Sequence, residues 1–463
     1  MEDKSFKGIL YNIMLQEVPS YANKIFYSLG FLSMTAFMVL ILSGFVLVFN
    51  GPSWWLTDSL GIYVRSIHLW ATQAFIFFIF LHLLIVFLTS GFRTNRRLTW
   101  VFGGLMLVFA LFEAELGYGL RGDFSTQWRS LQASDLYNGS GLGLFINNLN
   151  YAQIYGIHIV IIPLAILGLL FFHYLLIRIK GIAKPFKKDV NYKMVRANHT
   201  VLFLRGVVLI GAIVILAYFF RSPLIIPTTI QDVASQDPQL MANTLIQEFT
   251  HTSDTATYLD SIDPYKFDTR KIYVTYPYSQ YLKLTKGADM LGLFNAENTT
   301  LQNSNIKQAE DYFKTGGIIN TSINVNNPLI PVVSSLVVMA KSGLYEDSLR
   351  GELSSGFNPT YVTRFLSDTG VLEAKAEKLN ITTDQYGMLK EETGVIPPGA
   401  WWLAPVGVLD HTILANDPNQ DRDGAEILGF LLLFLIAFPY IPYLNKIPGK
   451  LPIDKLIWKT KNN

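Results

Sequence analysis

The stretch Ser66–Val86, SIHLWATQAFIFFIFLHLLIV, carries two histidines in an otherwise almost wholly apolar run. About 20 apolar residues in a helix cross the roughly 30 Å hydrocarbon layer of a bilayer, so the run reads as a membrane span with an imidazole towards each end. An ionisable group at that depth is costly and marks function.

Outward from this run, which extends over about 66–90, five more of the same kind lie at about 26–49, 99–119, 152–177, 201–220 and 425–445. Half of the 463 residues are hydrophobic and only 16% are charged, a balance that a soluble chain of this length could hardly keep in solution. The expected fold class is an all-α integral membrane protein with six transmembrane helices. Its first apolar run starts too deep and runs too long for a cleaved signal peptide. The absence of cysteine excludes disulfides, thiolate-bound iron–sulfur clusters and covalently attached c-type haem in this chain.

The net charge is only +2, but positive residues near membrane ends stay cytoplasmic. Lys4, Lys7 and Lys24 precede the first span, and Arg93, Arg96 and Arg97 follow the second. RIKGIAKPFKKDVNYKMVR follows the fourth, and Lys446, Lys450, Lys455, Lys459 and Lys461 follow the sixth. All four segments share one side if both termini are cytoplasmic, leaving a polar segment of roughly 180 residues outside. Its best apolar run, PLIPVVSSLVVMA from Pro328, is short enough to be ordinary core. Glycosylation sequons at Asn138, Asn298, Asn320 and Asn380 fall on the outer side. A fifth, Asn198, falls inside and is expected to stay bare.

Four of the seven histidines lie in two spans: His68 and His82 in the second, His158 and His173 in the fourth. Separations of 14 and 15 return each pair to within about 40–60° of one helix face, roughly 21 Å apart along the axis. Both spans run from outside to inside, so His68 is level with His158 and His82 with His173. Two levels of facing imidazoles are what two bis-histidine haems in a helix bundle require. Interhelical hydrogen bonding or a proton path would use intramembrane histidines too, but neither needs turn-matched spacing in both pairs. Gly30 and Gly44 in the first span repeat the 14-residue interval, as do Gly103 and Gly117 in the third. Haem is a flat plate, and helices approach its faces where side chains are missing. Arg65, three residues before His68, is placed for a haem propionate or as an interface anchor.

Those features together resemble the cytochrome b of quinol-oxidising cytochrome bc complexes. The resemblance rests on Gly30 with Gly44, the R-x-x-H of Arg65 and His68, His82, the W-x-x-G of Trp100 and Gly103, Gly117-Tyr118, His158 with Pro163, and His173 before HYLLIRIKGIAKP. It is strong over about 20–190, continues in outline through the fifth and sixth spans, and is absent from the outer segment. The 15-residue histidine interval is nearer to the photosynthetic bf version and prokaryotic relatives, and the Asn-rich outer segment is similar to archaeal respiratory chains. It implies that one quinol electron goes to a Rieske iron–sulfur protein near the outer haem, while the other passes inward to reduce a quinone. It also implies two haems, b-type or a modified a-type, and a homodimer in membrane lipid. Cytochrome or terminal oxidase subunits would be the electron acceptors, and no nucleic acid is involved.

In that family the outer quinol site uses a Pro-Glu-Trp-Tyr motif before the sixth span. This chain has PPGAWWLAPVGVLDHT there: Trp401 and Trp402 match the aromatic pair, while Ala400 stands where the glutamate should be. Quinol oxidation releases protons and a nearby carboxylate is a suitable acceptor. FEAELGYGL at the end of the third span offers Glu113 and Glu115, next to Tyr118; Asp410 and His411 follow the tryptophans. Glu115 is preferred, two residues or about 200° before the haem-facing Gly117. Arg178 and Lys180, beyond His173, suit inner propionates, a quinone carbonyl or a membrane anchor, and His199 is a candidate proton donor there.

The expected layout is a dihaem four-helix bundle over 1–190, a fifth helix over 191–221, an extracytoplasmic insertion over 222–395, and the quinol-site loop with the sixth helix and cytoplasmic tail over 396–463. Two other classes compete: a dihaem anchor for another quinone-linked oxidoreductase, and a haem-free transporter or surface glycoprotein. The Pro-Pro-x-x-Trp-Trp loop with a span behind it argues against the first, and haem bands in a reduced-minus-oxidised spectrum would remove the second.

Overall fold

The computed structural model describes residues 17–184, 192–257, 268–319, 321, 326–351, 360–391, 394–417 and 419–451. Lys4, Lys7, Lys455, Lys459, Lys461 and the sequon at Asn320 lie outside the described residues. Six described helices are long and apolar enough to cross a membrane: Leu29–Thr57, Ser59–Leu88, Arg97–Gly119, Tyr151–Lys180, His199–Phe219 and Arg422–Tyr440. The first two reach beyond their apolar runs to a tight turn. There the first helix bends at Gly51, at a left-handed φ of 76°. Asp58 then caps the second by accepting from the Leu60 and Gly61 amides at 2.9 and 3.1 Å.

Between 11% and 28% of each span's most apolar window is buried within the chain, so most of that surface is left for lipid and other contacts. The first span packs on the second and the third on the fourth, the fifth lies against the first two, and the sixth leans on the third. In the fourth span, Pro163 has no N–H for the carbonyl four residues before it, and the helix loosens to π type over Ile157–Ile161, around His158.

The basic connections meet at one end of the bundle. Glu17–Pro19 pairs antiparallel with Met194–Arg196. Arg96 donates to the Lys180 and Gly181 carbonyls at 2.7 and 2.8 Å, and Arg93 donates to the Asn445 carbonyl at 3.2 Å. At the other end sits the outer insertion, a packed helical unit. Its centre is Leu329–Lys341, eleven of whose thirteen residues are buried, so the apolar run after Pro328 is core. That interior extends past residue 222 into helix Phe124–Gly139, whose Phe124, Trp128 and Leu131 join the same cluster. Gln127 exchanges two hydrogen bonds with Thr228, and Arg364 pairs with Asp135 at 2.8 Å.

The sequons have local structural uses. Asn198 and Asn298 cap helices by accepting from the Val201 and Leu301 amides, and Asn380 takes the left-handed position ending Val371–Leu379. Asn138 is buried, so a glycan there has no room, contrary to the reading of its sequon.

Candidate functional site

At the outer level, the ring centres of His68 and His158 are 6.3 Å apart with the planes at 70°. Two imidazole–metal bonds of roughly 2.0 Å, with about 1.1 Å from each nitrogen to its ring centre, put two imidazoles sharing one metal at about 6.2 Å. The pair therefore fits an iron between them. Ser43 spends its hydroxyl hydrogen on the Val39 carbonyl, so His68 Nδ1–H donates to Ser43 Oγ at 2.9 Å. His158 Nδ1 lies 3.2 Å from both the carbonyl and a carboxylate oxygen of Glu113. In both rings Nδ1 is occupied and Nε2 is left for a metal.

At the inner level, His173 Nδ1 donates to the Thr99 carbonyl at 2.9 Å, and His82 and His173 are near enough to interact electrostatically. Arg178 stands over the Tyr174 ring, 5.7 Å from its centre, one turn beyond His173. Lys180 donates to the Asn95 carbonyl.

The four glycines face the four histidines one to one. A Cβ at Gly30 would come 3.2 Å from the His82 ring, at Gly44 3.5 Å from His68, at Gly103 3.3 Å from His173 and at Gly117 3.1 Å from His158. The glycines thus let neighbouring helices close on the imidazole edges, a more specific use than clearing a flat face.

The loop before the sixth span is clamped to the second. Gln73 Nε2 donates to the Pro398 and Gly399 carbonyls at 2.9 and 3.0 Å, and its Oε1 accepts from Trp401 Nε1 at 2.8 Å. Trp401 and Trp402 meet edge-on at 5.7 Å, and Trp402 packs in one cluster with Ala400 and Tyr118. Over this end of the bundle lies a buried charge network. Arg65 and Arg121 share Asp123, at 2.5 and 2.9 Å, and both donate to the Pro223 carbonyl. Arg121 also pairs with Glu391 at 2.5 Å, and the Tyr118 hydroxyl donates to Glu391 at 2.8 Å. Arg129 covers the Tyr118 ring at 4.5 Å. Burial would push the Glu391 carboxyl up, but Arg121 and Arg129, with hydrogen bonds from Arg121 and Tyr118, hold it below the usual carboxylate range.

Other sequence candidates sit differently from expectation. Glu115 faces helix Phe124–Gly139, near Arg129 and Tyr137. Arg65 is engaged by Asp123 and the start of the insertion. Trp100 donates to the Leu435 carbonyl at 2.8 Å and packs with Phe87, Phe92 and Phe438, locking the sixth span to the third. Asp410 is buried on helix Ala404–His411 beside Gly424. His411 is a poor proton acceptor: Nδ1 and Nε2 meet the Gly407 and Asp384 carbonyls at 2.6 and 2.9 Å. Those bonds hold the imidazole protonated, its pKa raised. His199 opens the fifth span on the basic side, exposed.

Sequence reasoning passed over Gln73, Arg121, Asp123 and Glu391. LRGDF, two arginine and aspartate charges directly after a span, was a signal for Arg121 and Asp123; for Glu391 the local pattern offers none.

A family description, cytochrome b (N-terminal)/b6/petB, matches residues 73–234. Cytochrome b6 of Heliobacterium modesticaldum is 31% identical over 199 residues, covering 38% of this chain and 93% of that protein. Cytochrome b6 of the alga Gracilaria tenuistipitata var. liui is 28% identical over 206 residues, 40% of this chain and 95% of that one. A chain of a hyperthermophilic respiratory Complex III structure overlays with a TM-score of 0.37 at 15% identity, over 78% of this chain and 96% of that one.

Proposed function

The chain belongs to the cytochrome b/b6 family, and from that premise we propose that it is the dihaem cytochrome b subunit of a respiratory quinol-oxidising complex. One quinol electron leaves to a Rieske iron–sulfur partner and the other crosses the membrane to a quinone, with proton translocation. It is a multi-pass membrane protein. Gathering of the basic connections at one end supports cytoplasmic termini and an extracytoplasmic insertion.

The observation that carries this reading is the 6.3 Å pairing of His68 with His158, with a glycine open against each of the four imidazoles. His68 and His158 hold the outer haem iron; His82 and His173 hold the inner one. A bis-histidine haem, b-type or modified a-type, takes and gives one electron at a time. Ser43, Glu113 and Thr99 fix the ring tautomers so that Nε2 faces the metal. Gly30, Gly44, Gly103 and Gly117 keep both pockets open, and Arg178 and Lys180 supply positive charge beside the inner one. Around the outer pocket, Trp401, Trp402 and Tyr118 form the wall against which a quinol ring lies, and Gln73 fixes that wall to the second span.

His82→Ala tests the reading. It should halve the extractable haem, removing the inner haem and leaving the outer one's reduced-minus-oxidised band; unchanged haem content would sink the assignment.

A further inference from the structure

Oxidising a quinol to a quinone removes two electrons and breaks two O–H bonds. The one-electron acceptors of the proposed complex take the electrons, so the chain has to supply a base for the protons. The residue in the glutamate's place, Ala400, has none to offer. We propose that Glu391 is that base, reached through the Tyr118 hydroxyl. This rests on the quinol-oxidising reading above and names the group that completes its outer site.

Geometry puts the two ends of the relay where they are needed. Tyr118 closes the third span and packs with Ala400 and Trp402, so its hydroxyl lies beside the position the missing carboxylate would occupy. That hydroxyl donates to Glu391 at 2.8 Å. Glu391 itself is fully buried. It reaches this place on a hairpin, Lys390–Glu391 against Gly394–Pro398, whose far strand runs directly into Gly399 and Ala400. The carboxylate therefore comes from the strand across the turn, nine residues before the motif position.

Each proton moves in one balanced step: the quinol O–H gives its proton to the Tyr118 oxygen as the Tyr118 proton passes to the Glu391 carboxylate. Tyr118 ends neutral and Glu391 ends as the acid, which releases the proton on the outer side before accepting the second. Around Glu391 stand Tyr118 from the third span, Arg121 from the turn after it and Arg129 from helix Phe124–Gly139. Asp123 and Arg65 lie behind Arg121, and Lys390 beside it turns to the Leu379 carbonyl. These arginines keep the resting group a carboxylate. A weak base suffices, because a phenolic O–H becomes far more acidic once its ring has lost an electron. The rivals are turned elsewhere: Glu115 towards Arg129 and Tyr137, and His411 with both nitrogens occupied.

The test is steady-state oxidation of a short-chain quinol against pH, in membranes holding the intact complex. Glu391→Gln and Tyr118→Phe should each lower kcat by roughly 10²-fold with KM little changed. Haem spectra should be unaltered, and the fall in rate at acid pH that protonation of Glu391 causes should disappear. Tyr118→Phe leaves the Glu391–Arg121 pair intact and so keeps the test open if Glu391→Gln, which strands Arg121, does not assemble. Quinol oxidation at the wild-type rate and pH profile by Tyr118→Phe overturns the proposal, as does Glu115→Gln carrying the loss in its place. A wild-type complex that binds haem but oxidises no quinol would instead defeat the functional reading itself.

Discussion

Two interiors in this chain are built on opposite rules. Inside the insertion, Leu329–Lys341 is enclosed by Val332, Val333, Leu336 and Val337 against Phe313, Phe365 and Trp128, as a water-exposed domain requires if burial is to offset chain entropy. Inside the bundle, the facing positions are glycines and histidines. Lipid is as apolar as leucine, so membrane helices gain little by hiding leucine from it, and small residues that admit close approach carry the packing. The first interior is filled to exclude; the second is opened to admit.

Filling the open interior should have the largest effect. Gly117→Leu drives a side chain into the His158 ring, which a Cβ alone would approach to 3.1 Å, and should abolish the outer haem while the inner one stays; full haem content by spectrum would break the contrast. Emptying the filled interior comes next. Leu336→Ala in the insertion should cost about 2–5 kcal/mol in denaturant unfolding of the outer unit, with both haem bands unchanged; an equal loss of haem would show the two interiors to be one.

The smallest and most specific effect concerns pH. Glu248, fully buried in the insertion, shares a hydrogen bond with Asp368 and accepts one from Ser253 at 2.8 Å. Burial first, and then Asp368, raise the Glu248 pKa well above its ordinary value of 4.5, so the fold favours the protonated acid. Its contribution to stability is full below about pH 4.5 and is lost as pH rises through the folded value. The insertion should therefore melt at progressively lower temperature from acid to neutral pH. Glu248→Gln should flatten that slope, and a slope that persists would assign it elsewhere.

Spans and histidine levels were legible because both are local signals: run length, and a 14- or 15-residue return to one helix face. The glycines share that interval, and each was found against one imidazole. What stayed hidden depends on contacts far apart in sequence. Tyr118 and Glu391 are separated by 273 residues, and a contiguous motif scan reports Ala400 as a gap because the carboxylate beside it arrives from another strand. Helical phase turned Glu115 away from Gly117 but could not say that helix Phe124–Gly139 lies on that side. His411 looked like a base because its two carbonyl partners come from its own helix turn and from Asp384. The insertion's polar composition concealed an interior that borrows Phe124, Trp128 and Leu131 from a loop between spans.

Gln73 imposes an order on biosynthesis. Its amide waits in the second span for carbonyls 325 and 326 residues further along, and at roughly 5–20 residues per second a ribosome reaches them only after tens of seconds. Throughout that interval a polar group sits at the outer part of the bundle with its final partners unmade, while five spans insert and the outer unit folds above it. The Pro398–Trp401 loop is thus the last piece to be seated, and the wall of the quinol pocket closes only on a chain that is otherwise finished.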